Sequence, residues 1–139
     1  MRVGYLLLGD SPFLNTGYAN QLRLVAKCLL QEGREVAFAA AYGFAEAKGE
    51  IELEYVPDMC WATVKVYPHD KFPGNLTQAT LQKHIEDFRR TKALDEVIVL
   101  GLGNTWNYAK VLSQHPYSAL WAPVDGHGIE APALQAYNG

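Results

Sequence analysis

The sequence predicts an α/β domain: a doubly wound, mostly parallel sheet, strand order 3-2-1-4-5, with helices on both faces. Two observations carry that prediction. Apolar runs of strand length alternate with amphipathic helical segments along the whole chain, the pattern of βαβ units. Polar, glycine-bearing segments then follow three of the strands, so all three fall on the edge where such sheets hold ligands.

The first apolar run, residues 3–8 (Val3 to Leu8), lacks helical periodicity and reads as a buried strand. Gly9-Asp10-Ser11-Pro12-Phe13-Leu14-Asn15-Thr16-Gly17 follows as a polar turn. Leu22, Val25, Ala26 and Leu29 at i, i+3, i+4 and i+7 then mark a helix from Gly17 to Glu32, with Gly33 placed as its terminating glycine. A strand, a glycine-bearing turn and a helix start suit a phosphate, because free backbone N–H groups and the helix dipole point at it. Ser11, Asn15 and Thr16 add hydroxyl and amide partners. The purely structural reading of the same turn is a polar connection, with Asn15 or Thr16 capping the helix.

Residues 35–41 form the second strand, and Tyr42-Gly43-Phe44 opens a loop at its end. Residues 50–56 alternate strictly, with Ile51, Leu53 and Tyr55 on one side and Glu50, Glu52 and Glu54 on the other, as in a sheet-edge strand with a solvated face. Residues 62–67 form another short strand, which either pairs with that one or is the third strand of the parallel sheet. His69 and Asp70 lie in a Pro/Gly loop where solvent contact is expected rather than catalysis. Asn75-Leu76-Thr77 starts a helix that turns Leu81, Ile85 and Phe88 inward and ends near Arg89 and Arg90, where cations suit the dipole. His84 on that helix reads as structural.

Residues 96–100 form a clear strand, followed by Gly101-Leu102-Gly103-Asn104-Thr105-Trp106-Asn107 and a helix through Val111 and Leu112. Trp106 stands where the third glycine of a dinucleotide fingerprint belongs, and no Gly-Lys-Ser/Thr follows either turn. The last strand, residues 118–122, closes on Pro123-Val124-Asp125-Gly126-His127-Gly128. Asp125 and His127 there can act as base and partner, or simply form an Asp-Gly turn.

With 139 residues the chain suffices for one domain, and 49% apolar against 19% charged residues is the balance of a globular domain rather than a disordered one. A net charge of -3 without a basic block argues against a nucleic-acid footprint and against a polybasic membrane surface. Nothing approaches the ~20 apolar residues of a membrane span. The first residues lack the pattern of a signal peptide. Cys28 and Cys60 have no metal-ligand spacing, and Cys28 reads as a small buried apolar residue of the first helix. No Asp-x-Asp metal motif is present. These features together lead to the expectation of a cytoplasmic protein.

Asn15-Thr16-Gly17-Tyr18-Ala19-Asn20-Gln21 before the first helix, Gly33-Arg34-Glu35-Val36 into the second strand, Tyr42-Gly43, and Trp121-Ala122-Pro123-Val124-Asp125-Gly126 form a pattern. It resembles the N-terminal, acceptor-side domain of family 4 glycosyltransferases of the GT-B fold, including phage and bacterial members with a Pro-Val-Asp-Gly segment. The resemblance covers essentially the whole chain. It implies one Rossmann-like domain over residues 1–139, the N-terminal half of a two-domain enzyme that transfers a sugar from a nucleotide-sugar donor to an acceptor. Gly9, Asn15, Thr16 and Gly17 would then line the donor's phosphates. Tyr42, Asn104, Trp106 and His127 would line the acceptor side. Asp125 would be the catalytic residue, standing where many members have a histidine. The nucleotide-sugar is a substrate, and no cofactor or metal is implied. The missing donor-binding domain, or a partner subunit, would complete the cleft, and the isolated chain is expected to be inactive. The alternatives are a non-catalytic Rossmann-like or flavodoxin-like ligand-binding or interaction module, and one subunit of a split transferase.

Overall fold

The computed structural model describes residues 1–42, 51–53, 64–69, 76–102, 115 and 117–121. The strands are β1 (Val3–Asp10), β2 (Glu35–Tyr42), β3 (Ile51–Leu53), β4 (Val64–Tyr67), β5 (Glu96–Leu102) and β6 (Ser118–Trp121), and the helices are α1 (Gly17–Gln31) and α2 (Gln78–Thr91). The strands form one sheet in the order β3-β4-β2-β1-β5-β6. Neighbours from β4 across to β6 are all parallel, and β3 pairs antiparallel with β4 at the edge. With β3 set aside, the parallel strands run 3-2-1-4-5 in chain order, as the alternation of the sequence predicts. The charged alternating run does supply an edge strand. The run after it does both things open to it, since β4 pairs with β3 and is also the third parallel strand.

Each face carries a helix. Leu7, Val36, Phe38, Ala40, Val64, Val66 and Leu102 pack with Leu22 and Ala26 of α1. Leu6, Leu8, Ala37, Ala39, Ala41, Val97 and Val99 pack with Leu81, Ile85 and Phe88 of α2. Neighbouring β1 residues therefore serve opposite cores, which is why the central run is apolar without interruption.

Both helices end in the same way. Behind α1, Gly33 N–H donates to the Leu30 carbonyl at 3.0 Å and Arg34 N–H to the Leu29 carbonyl at 3.0 Å, with Gly33 at φ +78°. Behind α2, Ala93 N–H donates to the Arg90 carbonyl at 3.3 Å and Leu94 N–H to the Arg89 carbonyl at 2.8 Å, with Ala93 at φ 51°. This is the Schellman arrangement, whose left-handed residue favours glycine; α2 makes it with an alanine.

Two expectations are corrected here. Cys28 is an exposed free thiol. It lies two residues beyond the buried Ala26, which turns it roughly 200° around the helix, away from the sheet. Its other candidate, Cys60, lies outside the described residues. His69 is buried, only 3% exposed, rather than in contact with solvent. It follows the buried Pro68, which itself follows β4, so the buried run extends two residues past the strand end. Asp70 lies outside the described residues. Among the described residues no helix is long and apolar enough to cross a membrane.

Candidate functional site at the end of the first strand

The two described helices lie on opposite faces of the sheet. α1 links β1 to β2 on one side, and α2 lies between β4 and β5 on the other. The switch falls between β1 and β5, so a crevice at their C-terminal ends is the place where such a sheet receives a ligand. The segment joining β1 to α1 lines it.

That segment is built from its own hydrogen bonds. The β1–β2 register slips at its end, with Gly9 opposite Ala40 and Asp10 opposite Tyr42. Ser11 N–H then donates to the Tyr42 carbonyl at 2.9 Å, which carries the chain across the tip of β2. Pro12 has no N–H to continue the ladder. Leu14 N–H donates to the Ser11 carbonyl at 3.1 Å, and Phe13 N–H to Ser11 Oγ at 3.0 Å, closing a tight turn. Thr16 caps the helix, its Oγ1 accepting from Ala19 N–H at 3.1 Å and donating to Asp10 Oδ2 at 2.6 Å.

Beneath the turn lies a residue that the pattern analysis missed. Arg23 is 8% exposed. Its Nη1 donates to the carbonyls of Pro12 at 3.0 Å and Leu14 at 2.8 Å, and its Nη2 to Asn20 Oδ1. Its Nε has no hydrogen-bond partner among the described residues. Among the described residues no carboxylate pairs with it, and each partner is a neutral oxygen. A signal was available: Ala19, Leu22, Arg23 and Ala26 fall at i, i+3, i+4 and i+7, so the arginine stands on the buried stripe of its helix.

The residues assigned to the phosphate side divide into two kinds. Asn15, Thr16 and Gly17 are exposed at the helix start. A Cβ added at Gly17 would meet nothing within 4 Å, so the fold does not itself demand glycine there. Gly9 is the penultimate residue of β1 and is buried. A Cβ there would stand 2.7 Å from the Leu102 carbonyl oxygen and 2.7 Å from Leu22 Cδ1, so its glycine serves the close approach of β1, α1 and β5. Ser11 is fully buried and spends its hydroxyl within the turn. Tyr42 is half-buried against the α2-side core, beside the turn that its carbonyl anchors. Asn104, Trp106, Asp125 and His127 lie outside the described residues.

Compared with known proteins, the chain matches no family model, no curated protein and no solved structure.

A second polar cluster joins β4 to α2. Asp87 Oδ2 accepts from Lys65 Nζ at 2.6 Å and from the Tyr67 hydroxyl at 2.7 Å, while Oδ1 accepts from Arg90 Nη2 at 2.9 Å. Tyr67 stacks on His84 with ring centroids 4.8 Å apart, and His84 Nε2 donates to the Pro68 carbonyl at 2.9 Å. His84 is thus structural, as its place on the helix predicts. Burial is the largest single influence on the Asp87 carboxyl and raises its pKa. The hydrogen bonds from Lys65 and Tyr67, with the charges of Lys65 and Arg90, together outweigh it and hold the group below its ordinary value. This cluster lies on the face opposite α1. Among the described residues no three His, Cys, Asp or Glu side chains form a group able to hold a metal.

The chemistry available to the first site is the binding of a polar or anionic group. It offers a helix N-terminus, an exposed Asn15 amide, open space over Gly17, and a buried cation below the turn.

Proposed function

We propose that this chain is the acceptor-side domain of a glycosyltransferase that uses a nucleotide-sugar donor, working with a donor-binding domain or subunit. One observation carries the reading. The turn after β1 sits at the switch point of a doubly wound sheet and presents the N-terminus of α1 above a buried guanidinium whose partners among the described residues are all neutral. A diphosphate approaching Asn15, Thr16 and Gly17 meets favourable dipoles and a positive charge. Backbone can approach closely at Gly17 because no side chain stands there. Asp125, in the segment after β6, is the proposed catalytic residue, with Tyr42, Asn104, Trp106 and His127 on the acceptor side.

The binding step can be tested without the partner domain. Backbone amide resonances of the labelled chain are followed while uridine, guanosine and adenosine diphosphate sugars are added at millimolar concentration. The expected result is weak, saturable perturbation at Asn15, Thr16, Gly17 and Tyr18 with at least one nucleotide. Perturbation confined to other regions, or none with any donor, overturns the reading and leaves a binding or interaction module of another kind.

A further inference from the structure

A trans peptide unit points its carbonyl and the amide that follows it in opposite directions, and the described residues contain no cis bond. The Leu14 carbonyl is turned inward, onto Arg23 Nη1 at 2.8 Å. The Asn15 N–H, on the same peptide unit, therefore points away from the buried guanidinium. The earlier donors of the turn are spent: Pro12 has none, Phe13 N–H goes to Ser11 Oγ, and Leu14 N–H goes to the Ser11 carbonyl. Farther on, Ala19 N–H is taken by Thr16 Oγ1. Between them, the N–H groups of Asn15, Thr16 and Gly17 make no hydrogen bond among the described residues, and all three residues are exposed.

We propose that Arg23 is a positioning residue for a diphosphate: it holds the peptide between Leu14 and Asn15 so that the Asn15 N–H joins those of Thr16 and Gly17 as outward donors. The inference rests on the anion-binding part of the transferase reading and assigns a role within that site. Arg23 is 8% exposed and reaches into the turn from below, with Nη1 on the Pro12 and Leu14 carbonyls. Asn20, on the exposed side of α1, holds Nη2 through its Oδ1. Nε has no partner among the described residues, so the guanidinium brings more donors to the turn than the turn uses. Without a donor beneath them the two carbonyls must find water, and each carries its peptide unit around with it. The Asn15 N–H would then leave the outer surface. Holding it matters because Asp10 accepts from Thr16 Oγ1 at 2.6 Å. An anion at this helix start thus meets a carboxylate as well as the dipole, and fixed N–H donors are what favour it.

The test follows backbone amide resonances of the full 139-residue chain as inorganic pyrophosphate is added. In the wild type the Asn15, Thr16 and Gly17 amide protons are expected to move together, with one affinity. In Arg23→Met the affinity falls several-fold. At saturation the Asn15 proton of that variant no longer moves, while that of Gly17, carried by the helix, still does. A role in stability alone leaves affinity and both responses unchanged in the folded variant. A role through charge alone weakens binding and keeps the Asn15 response at saturation. Either outcome overturns the proposal. Should Arg23→Met fail to fold, Asn20→Ala, which removes the Nη2 partner, is expected to shrink the Asn15 response relative to that of Gly17; an undiminished ratio overturns the proposal. So does a wild type in which none of the three amides answers pyrophosphate. The transferase reading fails separately. Amides that answer pyrophosphate and no nucleotide-sugar remove that reading and leave Arg23 its role, whereas nucleotide-sugar binding without an Asn15 response removes only the role of Arg23.

Discussion

The two helices each hold a charged residue against the sheet, and they hold it differently. On α2, Asp87 is matched by Lys65, Arg90 and the Tyr67 hydroxyl, so its charge is answered where it lies. On α1, Arg23 is held by two carbonyls and an amide oxygen, and no carboxylate among the described residues answers it. A compensated cluster clasps two elements together. A cation with neutral partners shapes a turn and leaves positive potential beside a helix N-terminus. The difference separates a structural cluster from a candidate site more clearly than the count of polar residues in either.

Substitution of Arg23 tests this most severely. Arg23→Met leaves the Pro12 and Leu14 carbonyls without their donor, and the expected loss is about 3 kcal/mol by denaturant unfolding. A loss confined to nucleotide binding, with stability intact, would mean that the arginine belongs to the ligand rather than to the turn.

Asp87→Asn should cost about 2 kcal/mol near neutral pH, since the hydrogen bonds from Lys65 and Tyr67 lose their charged acceptor. The pH dependence sharpens the point. The folded-state pKa of Asp87 lies below its ordinary value, so below that value the unfolded chain binds the proton more readily. The stabilisation is complete above the ordinary carboxylate range and is lost as pH falls through the folded pKa. Stability curves of wild type and Asp87→Asn should therefore converge on acidification; parallel curves would remove Asp87 as the source.

The helix ends supply a smaller contrast. Ala93 occupies the left-handed position that Gly33 fills behind α1. Ala93→Gly should raise stability by about 1 kcal/mol, read as a higher thermal midpoint. The same replacement reversed at Gly33 should lower it.

Gly17→Ala is expected to have the smallest effect on folding, a gain of about 0.5 kcal/mol from the less flexible unfolded chain. Its added methyl meets only open space. If Gly17 serves a ligand, the substitution weakens nucleotide-sugar binding at unchanged or improved stability. Equal binding by the variant would remove that role.

Much of this architecture was legible in local pattern. The apolar runs of β1, β2 and β5, the stripe of α1, the two helix starts and the glycine behind α1 all follow from periodicity and backbone chemistry acting over a few residues, while the structure chose Thr16 over Asn15 as the first cap. The candidate site was only partly legible. Asn15, Thr16 and Gly17 stand at the helix start where the pattern puts them. Gly9, assigned to the same turn, is packed between α1 and β5, because its role depends on Leu22 and on the distant Leu102.

The sequence by itself determined the alternation of strand and helix and the parallel order, which sets the C-terminal ends of β1, β5 and β6 at one edge. Those features arise from side-chain period and connection handedness, which local composition encodes. Only the tertiary structure decided the burial of Ser11 and His69, the carbonyls that Arg23 holds, and the joining of Lys65 to Asp87 across 22 positions of chain. Burial depends on what packs opposite a residue, and hydrogen-bond partners far apart in sequence meet only when the sheet and helices close.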